Sequence, residues 1–133
     1  MNNRVSLLLL SSLLVLAACS SQEQTLEEKA VARWEHLIKG EFNLAYEYLT
    51  PGYRQTENVE SYGLRMGASQ VEWQEVTYEK KECEDENLCV VHVNIQYLYV
   101  MPVAGGKEMV QTTTIRENWI KKDDGWYYLP KKS

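Results

Sequence analysis

Aspartate is scarce in this chain. Its three copies, Asp85, Asp123 and Asp124, all fall in segments that read as turns. There a short carboxylate imitates backbone hydrogen bonding. Histidine occurs twice, as His36 and His92, and cysteine three times. No Gly-x-Ser-x-Gly elbow is present, which removes the usual serine-hydrolase arrangement. Gly105-Gly106 lies between strand-like segments rather than before a helix, so it forms no phosphate loop. No apolar run reaches the roughly 20 residues that a membrane-spanning helix needs. Cationic excess is lacking too: 14 Lys+Arg stand against 19 Asp+Glu, a formal charge of −5. That balance disfavours nucleic acid, whose binding rests on cationic contacts to phosphate. Lys80-Lys81, Lys121-Lys122 and Lys131-Lys132 flank acids or the terminus and read as solvated hairpin ends.

What the chain does have begins at its N-terminus. Arg4 precedes an apolar run from Leu7 to Leu16, broken by Ser11 and Ser12, and Leu16-Ala17-Ala18-Cys19 follows. A short apolar stretch ending in small residues reads as a signal peptide. A cysteine directly after those small residues is what a lipidation site requires. The segment resembles a bacterial lipoprotein signal peptide with its lipobox. The resemblance implies removal of residues 1–18, a lipidated Cys19 and residues 19–24 as a tether. Ser20, in place of an aspartate, implies the periplasmic face of the outer membrane in a cell that has one. The membrane is then a partner through the N-terminal lipid, palmitate included, and stable anchoring takes more than one acyl chain. Residues 25–133 are expected to form one domain, since a chain of this length suits a single core.

Cys83 and Cys89 remain, and an exported chain meets an oxidising compartment. Five residues separate them, a spacing that fits neither a redox C-x-x-C pair nor a zinc site without further ligands. The pair predicts a structural disulfide.

Thr25-Leu26-Glu27-Glu28 matches a capping box. Leu26, Ala30, Trp34, Leu37 and Ile38 then form a helical stripe that stops near Gly40. A second helix is expected over 41–49, ended by Pro51-Gly52, and a third over 57–66. From residue 71 the period becomes strand-like, with segments 71–82, 88–101, 108–121 and 126–129. The second alternates most clearly, with Val91, Val93, Ile95, Tyr97 and Tyr99 on one face. If Cys83 faces Cys89, Val76 and Tyr78 point away from Val93 and Ile95. One extra residue near 79–82, a β-bulge, repairs the alternation. Helices followed by a meander predict an α+β domain, with N-terminal helices packed on a curved four-stranded antiparallel sheet.

Two passages carry a second resemblance. One is Gly40-Glu41-Phe42 leading to Ala45-Tyr46 and Leu49-Thr50-Pro51. The other is the ending Asp124-Gly125-Trp126-Tyr127. Over about residues 25–129 the chain resembles the nuclear-transport-factor-2-like (cystatin-like α+β roll) superfamily. That resemblance implies a sheet wrapping a long helix around a cone-shaped pocket. Its members include isomerases, dehydratases and non-catalytic envelope proteins, so the fold alone decides no activity. Ketosteroid isomerase and scytalone dehydratase place Asp, or Asp with His, in that cone, and no strand here contains Asp.

The remaining candidates follow from strand parity. Glu117 shares a face with Ile115 and Trp119, which are expected to point inward. Burying a carboxylate among aromatics suits general acid or base work; the alternatives are an ion pair with Lys or Arg near the sheet end, or a reversed parity that turns Glu117 to water. His36 and His92 are expected at the surface. Trp73, Tyr97, Tyr99, Trp119 and Trp126 are candidates for pocket or interface. No cofactor and no metal are implied. The expected function is a non-catalytic, lipid-anchored cell-envelope domain binding a partner protein or a small apolar ligand. Self-association through the sheet face is one form of such partnering. The alternatives are an isomerase- or dehydratase-type enzyme using Glu117, or a structural subunit of an envelope complex.

Overall fold

The computed structural model describes residues 22–131, so the signal segment and Cys19 lie outside the described residues. Among the described residues four helices precede four strands: α1 Leu26–Ile38, α2 Phe42–Tyr46, α3 Pro51–Arg54, α4 Val59–Gly67, β1 Glu72–Cys83, β2 Leu88–Met101, β3 Lys107–Lys122 and β4 Gly125–Leu129. The strands form one antiparallel sheet in the order β1-β2-β3-β4, which makes the domain α+β.

Helix α1 opens with the capping box. The Thr25 hydroxyl accepts from the Glu28 amide, and the Glu28 carboxylate accepts from the Thr25 amide at 2.8 Å. Each bond satisfies an amide with no partner inside the helix. Gly40, at φ +72°, lets the chain leave in the left-handed region that side chains resist. Leu26, Ala30, Trp34 and Leu37 are buried as the stripe requires, but Arg33 is buried with them at 4 % exposure.

The second helix is shorter than its sequence suggests. It ends at Tyr46, because residues 48–50 pair with β4 instead. The Tyr128 amide donates to the Tyr48 carbonyl at 2.7 Å, and the Thr50 amide donates to the Tyr128 carbonyl at 3.0 Å. Pro51 does not simply stop a helix; it is the first residue of α3, with Thr50 as its cap. Proline suits that position because its missing N–H would have no helical partner there.

Strand β1 carries two irregularities, not one. Glu79 is the extra residue between the pairs Tyr78–Val93 and Lys80–His92, and Gln74 is another between Trp73–Tyr97 and Glu75–Gln96. The first places Val76 opposite Ile95 and Tyr78 opposite Val93, on the face that receives α1. Lys81 reaches Glu27 of α1 at 2.5 Å rather than standing free at a hairpin end, and its ammonium holds the Glu27 carboxyl below the usual carboxylate range.

Cys83 and Cys89 are directly opposed and bonded. Replacing both with serine is expected to lower stability by about 2–2.5 kcal/mol from restored loop entropy. A urea midpoint unchanged between the variant and the parent would refute this.

Candidate functional site

Four elements bring a polar cluster into the centre of the apolar core. Arg33 and Trp34 come from successive positions of α1, Tyr62 from α4, Glu117 and Trp119 from β3, and Tyr128 from β4. On the sheet, Glu117 stands opposite Val91 of β2, and Trp119 lies between Cys89 and Tyr128. The inward parity expected for Glu117 therefore holds, and the residue is 1 % exposed.

Three donors converge on that carboxylate. Its Oε1 accepts from Arg33 Nη2 and from Trp34 Nε1, the latter at 2.7 Å; its Oε2 accepts from Trp119 Nε1 at 3.1 Å. The Arg33 guanidinium lies over the Tyr128 ring, 4.1 Å from its centroid, and beside Trp34 at 5.2 Å. A cation on an aromatic face gains from the ring quadrupole, more so away from water. Burial works against the Arg33 charge, and the Glu117 carboxylate offsets it, leaving the guanidinium more firmly protonated than usual. This is the ion-pair alternative for Glu117, reinforced by two indoles.

Two polar atoms of this cluster have no hydrogen-bond partner among the described residues: Arg33 Nε and the Tyr62 hydroxyl. Buried polar atoms are nearly always satisfied, by protein, water or ligand. Here both residues line a cavity of about 560 Å³, which lies between α1, α4 and the inner face of β3. Trp34, Met66, Trp73 and Ile115 supply apolar wall, and Arg65, Arg116 and Lys131 stand on its lining as well. Arg65 is tied to Glu57 at 2.7 Å and lies over the Tyr62 ring, its Cζ 5.4 Å from the centroid. That bond to Arg65 keeps the Glu57 carboxyl below its ordinary range.

Burial pushes the Tyr62 and Tyr128 hydroxyls up, with Arg33 opposing it. In the unfolded chain they ionise near pH 10. The folded state therefore favours their neutral forms. That stability is fully present below about pH 10 and is lost as pH climbs through the higher folded values. Tyr62→Phe is expected to leave stability at pH 7 unchanged or raise it by up to about 1 kcal/mol, since its hydroxyl is unpartnered. The same variant shows a shallower alkaline fall. Thermal melts of both proteins at pH 7 and pH 11 check this; a variant destabilised at neutral pH would show that the hydroxyl is satisfied.

The other sequence candidates scatter. Trp73 lines the cavity and packs edge-on to Trp34 at 5.4 Å. Trp119 is fully buried within the cluster. Tyr97 faces Trp73 across the ladder, half-buried, and Tyr99 is exposed. Trp126 is half-buried against the core, opposite Lys121. His92 is not a surface residue: it is 7 % exposed, flanked in the sheet by Lys80 and Arg116, and Nε2 meets Glu82 at 3.0 Å. Strand β2 lies between β1 and β3, so His92 has a paired neighbour on each side. His36 is only half-exposed, because Nδ1 meets Glu41 at 2.7 Å and its ring lies 6.0 Å from Tyr48. Sequence reasoning missed Arg33 and Tyr62. A visible signal for Arg33 was its place on the apolar stripe, three residues past Ala30 and four before Leu37.

Fold and site together define a small α+β domain with a cavity between its helices and the inner face of its sheet. No family model and no curated protein matches the chain. Among solved structures it is similar to a SEC-C motif containing protein from Rhodopseudomonas palustris, at 16 % identity and a TM-score of 0.59, covering 82 % of this chain and 78 % of that one. A SEC-C motif containing protein from Psychrobacter arcticus is 12 % identical with a TM-score of 0.61, over 83 % of this chain. This chain spans 63 % of the Psychrobacter protein. Aln2 from a Streptomyces species is 12 % identical with a TM-score of 0.51, over 75 % of this chain and 80 % of its own. At these identities the likeness establishes the fold and nothing further.

Proposed function

We propose that this is a non-catalytic, lipid-anchored cell-envelope domain that holds a small ligand in the cavity above the Arg33–Glu117 pair. The ligand has a largely apolar body and one hydrogen-bonding group. The observation that carries this reading is the cavity itself: about 560 Å³, walled mostly by aromatic and aliphatic groups, with two unpartnered polar atoms among the residues that line it. That volume is ordinary for a small-molecule site. The lipid anchor rests on the lipobox-like segment Leu16–Cys19, and assignment to the nuclear-transport-factor-2-like roll rests on the helix-then-meander order with the passages around Gly40 and Gly125.

Against catalysis by Glu117 stands its bonding. A general acid or base must reach the proton that it moves, and three donors already occupy both oxygens of this carboxylate. Its chemistry is that of a fixed counter-ion.

Titration with an aromatic sulfonate dye and with dodecanoate, read through the fluorescence of Trp34 and Trp73, tests the proposal. One saturable site is expected in the parent protein and none in Met66→Trp, which fills the cavity. Binding that survives this filling, or an absence of saturable binding by either probe, would refute it. Turnover of a bound molecule would favour the enzyme alternative instead.

A further inference from the structure

The three outer edges of the sheet are treated very differently. Strand β1 carries two bulges and six charged residues, Glu72, Glu75, Glu79, Lys80, Lys81 and Glu82. Bulges and charges are the usual devices that stop an edge from pairing. The edge of β4 is covered by residues 48–50 through the backbone bonds to Tyr128. The third edge is that of β3 before β4 begins. Strand β4 pairs only with residues 118–122, whereas the β2–β3 ladder continues to Met101–Lys107.

Residues 107–117 therefore present one side of their backbone to no strand among the described residues. Its charges lie at the two ends of the stretch, Lys107 and Glu108 at one and Arg116 and Glu117 at the other, and no bulge interrupts it. The β2–β3 register runs without a shift through all fourteen pairs. Residues 109–115, Met-Val-Gln-Thr-Thr-Thr-Ile, contain no charge, no proline and no glycine. A long, regular, β-branched edge of this kind is a template for another strand. Helix α1 packs chiefly on β1, at the far side of the sheet from this edge.

We propose that the edge pairs with the same edge of a second copy, antiparallel about Thr112. The charge pattern selects this occupant. With Thr112 opposite its own copy, Glu108 of each chain falls opposite Arg116 of the other. Within one chain neither residue forms a salt bridge among the described residues, and both are exposed. They sit on one face of the sheet, because they lie an even number of residues apart. In the same register Met109 meets Ile115 on the inner face, and Val110 meets Thr114 on the outer. Shifting the register by one residue turns each chain's inner side chains toward the other's outer face. The two-fold operation makes the contact isologous and closed. Pro130 cannot extend the β4 ladder toward this region, which limits competition from the C-terminal residues.

Sedimentation velocity of the chain from Ser20 onward, across micromolar to millimolar concentrations, tests the pairing. A monomer–dimer equilibrium is expected. Glu108→Arg and Arg116→Glu each weaken it about tenfold, because both symmetry-related pairs become repulsive. The double variant restores it. Thr112→Cys cross-links to itself under mild oxidation, and Val110→Cys, which faces Thr114 of the second copy, does not. A parent that stays monomeric, a dimer indifferent to the single reversals or not rescued by the double, or a Thr112→Cys variant that captures only a different protein would each overturn the proposal. None of these readouts depends on a ligand in the cavity.

Discussion

Glu117→Gln is expected to destabilise the domain by about 3–5 kcal/mol, the usual cost of stripping one partner from a buried ion pair. Arg33 is 4 % exposed and buried among Tyr128, Trp34 and Tyr62, so its charge cannot turn to water without opening the core. A loss of that size is a large share of the roughly 5–15 kcal/mol that holds an ordinary domain together. Arg33→Met costs a comparable amount, for it leaves a carboxylate with only two indole donors. The combined Arg33→Met, Glu117→Gln variant is expected to recover a good part of the loss. Buried pairs replaced together by neutral groups of similar volume are often close to neutral. Urea unfolding followed by tryptophan fluorescence measures all four proteins, and the cycle isolates the coupling. Additive single effects would show that the two residues do not act as a unit.

Trp119→Ala carries the second large effect, about 3–5 kcal/mol. The side chain is wholly buried, between Cys89 and Tyr128 on the ladder, and packs on Tyr128 at 5.9 Å. Its removal leaves a cavity and frees Glu117 Oε2. Trp119→Phe separates the two contributions. It keeps most of the volume and loses only the indole N–H, so a cost of about 1–3 kcal/mol is expected. A phenylalanine variant as damaged as the alanine variant would assign the whole effect to the lost hydrogen bond.

Both predictions concern a cluster that was half visible in the sequence. Strand alternation alone placed Glu117 inward, because Ile115 and Trp119 share its parity. The donors that meet it were not legible. Arg33 and Glu117 are 84 residues apart, and nothing local records which helical turn lies over which strand position. The same distinction explains the second helix. Its propensity extends to residue 49, but an edge offered by β4, far along the chain, captured the backbone at Leu49 and Thr50. The bulge at Glu79 was predictable because a disulfide fixes one pair and hydrophobicity fixes the others. The one at Gln74 had no such bracket.

Sequence by itself determined the order of elements, the capping box of α1, the cysteine pair and which face of β2 is apolar. Each of these is set by chemistry between near neighbours or by a simple period. Tertiary structure alone decided that a guanidinium and a carboxylate meet inside the core and that, among the described residues, two polar atoms beside a cavity find no partner and one stretch of β3 meets no strand on its outer side. Those outcomes depend on how helices and sheet pack at long range, where a side chain's partner is chosen by geometry and not by its neighbours in the chain.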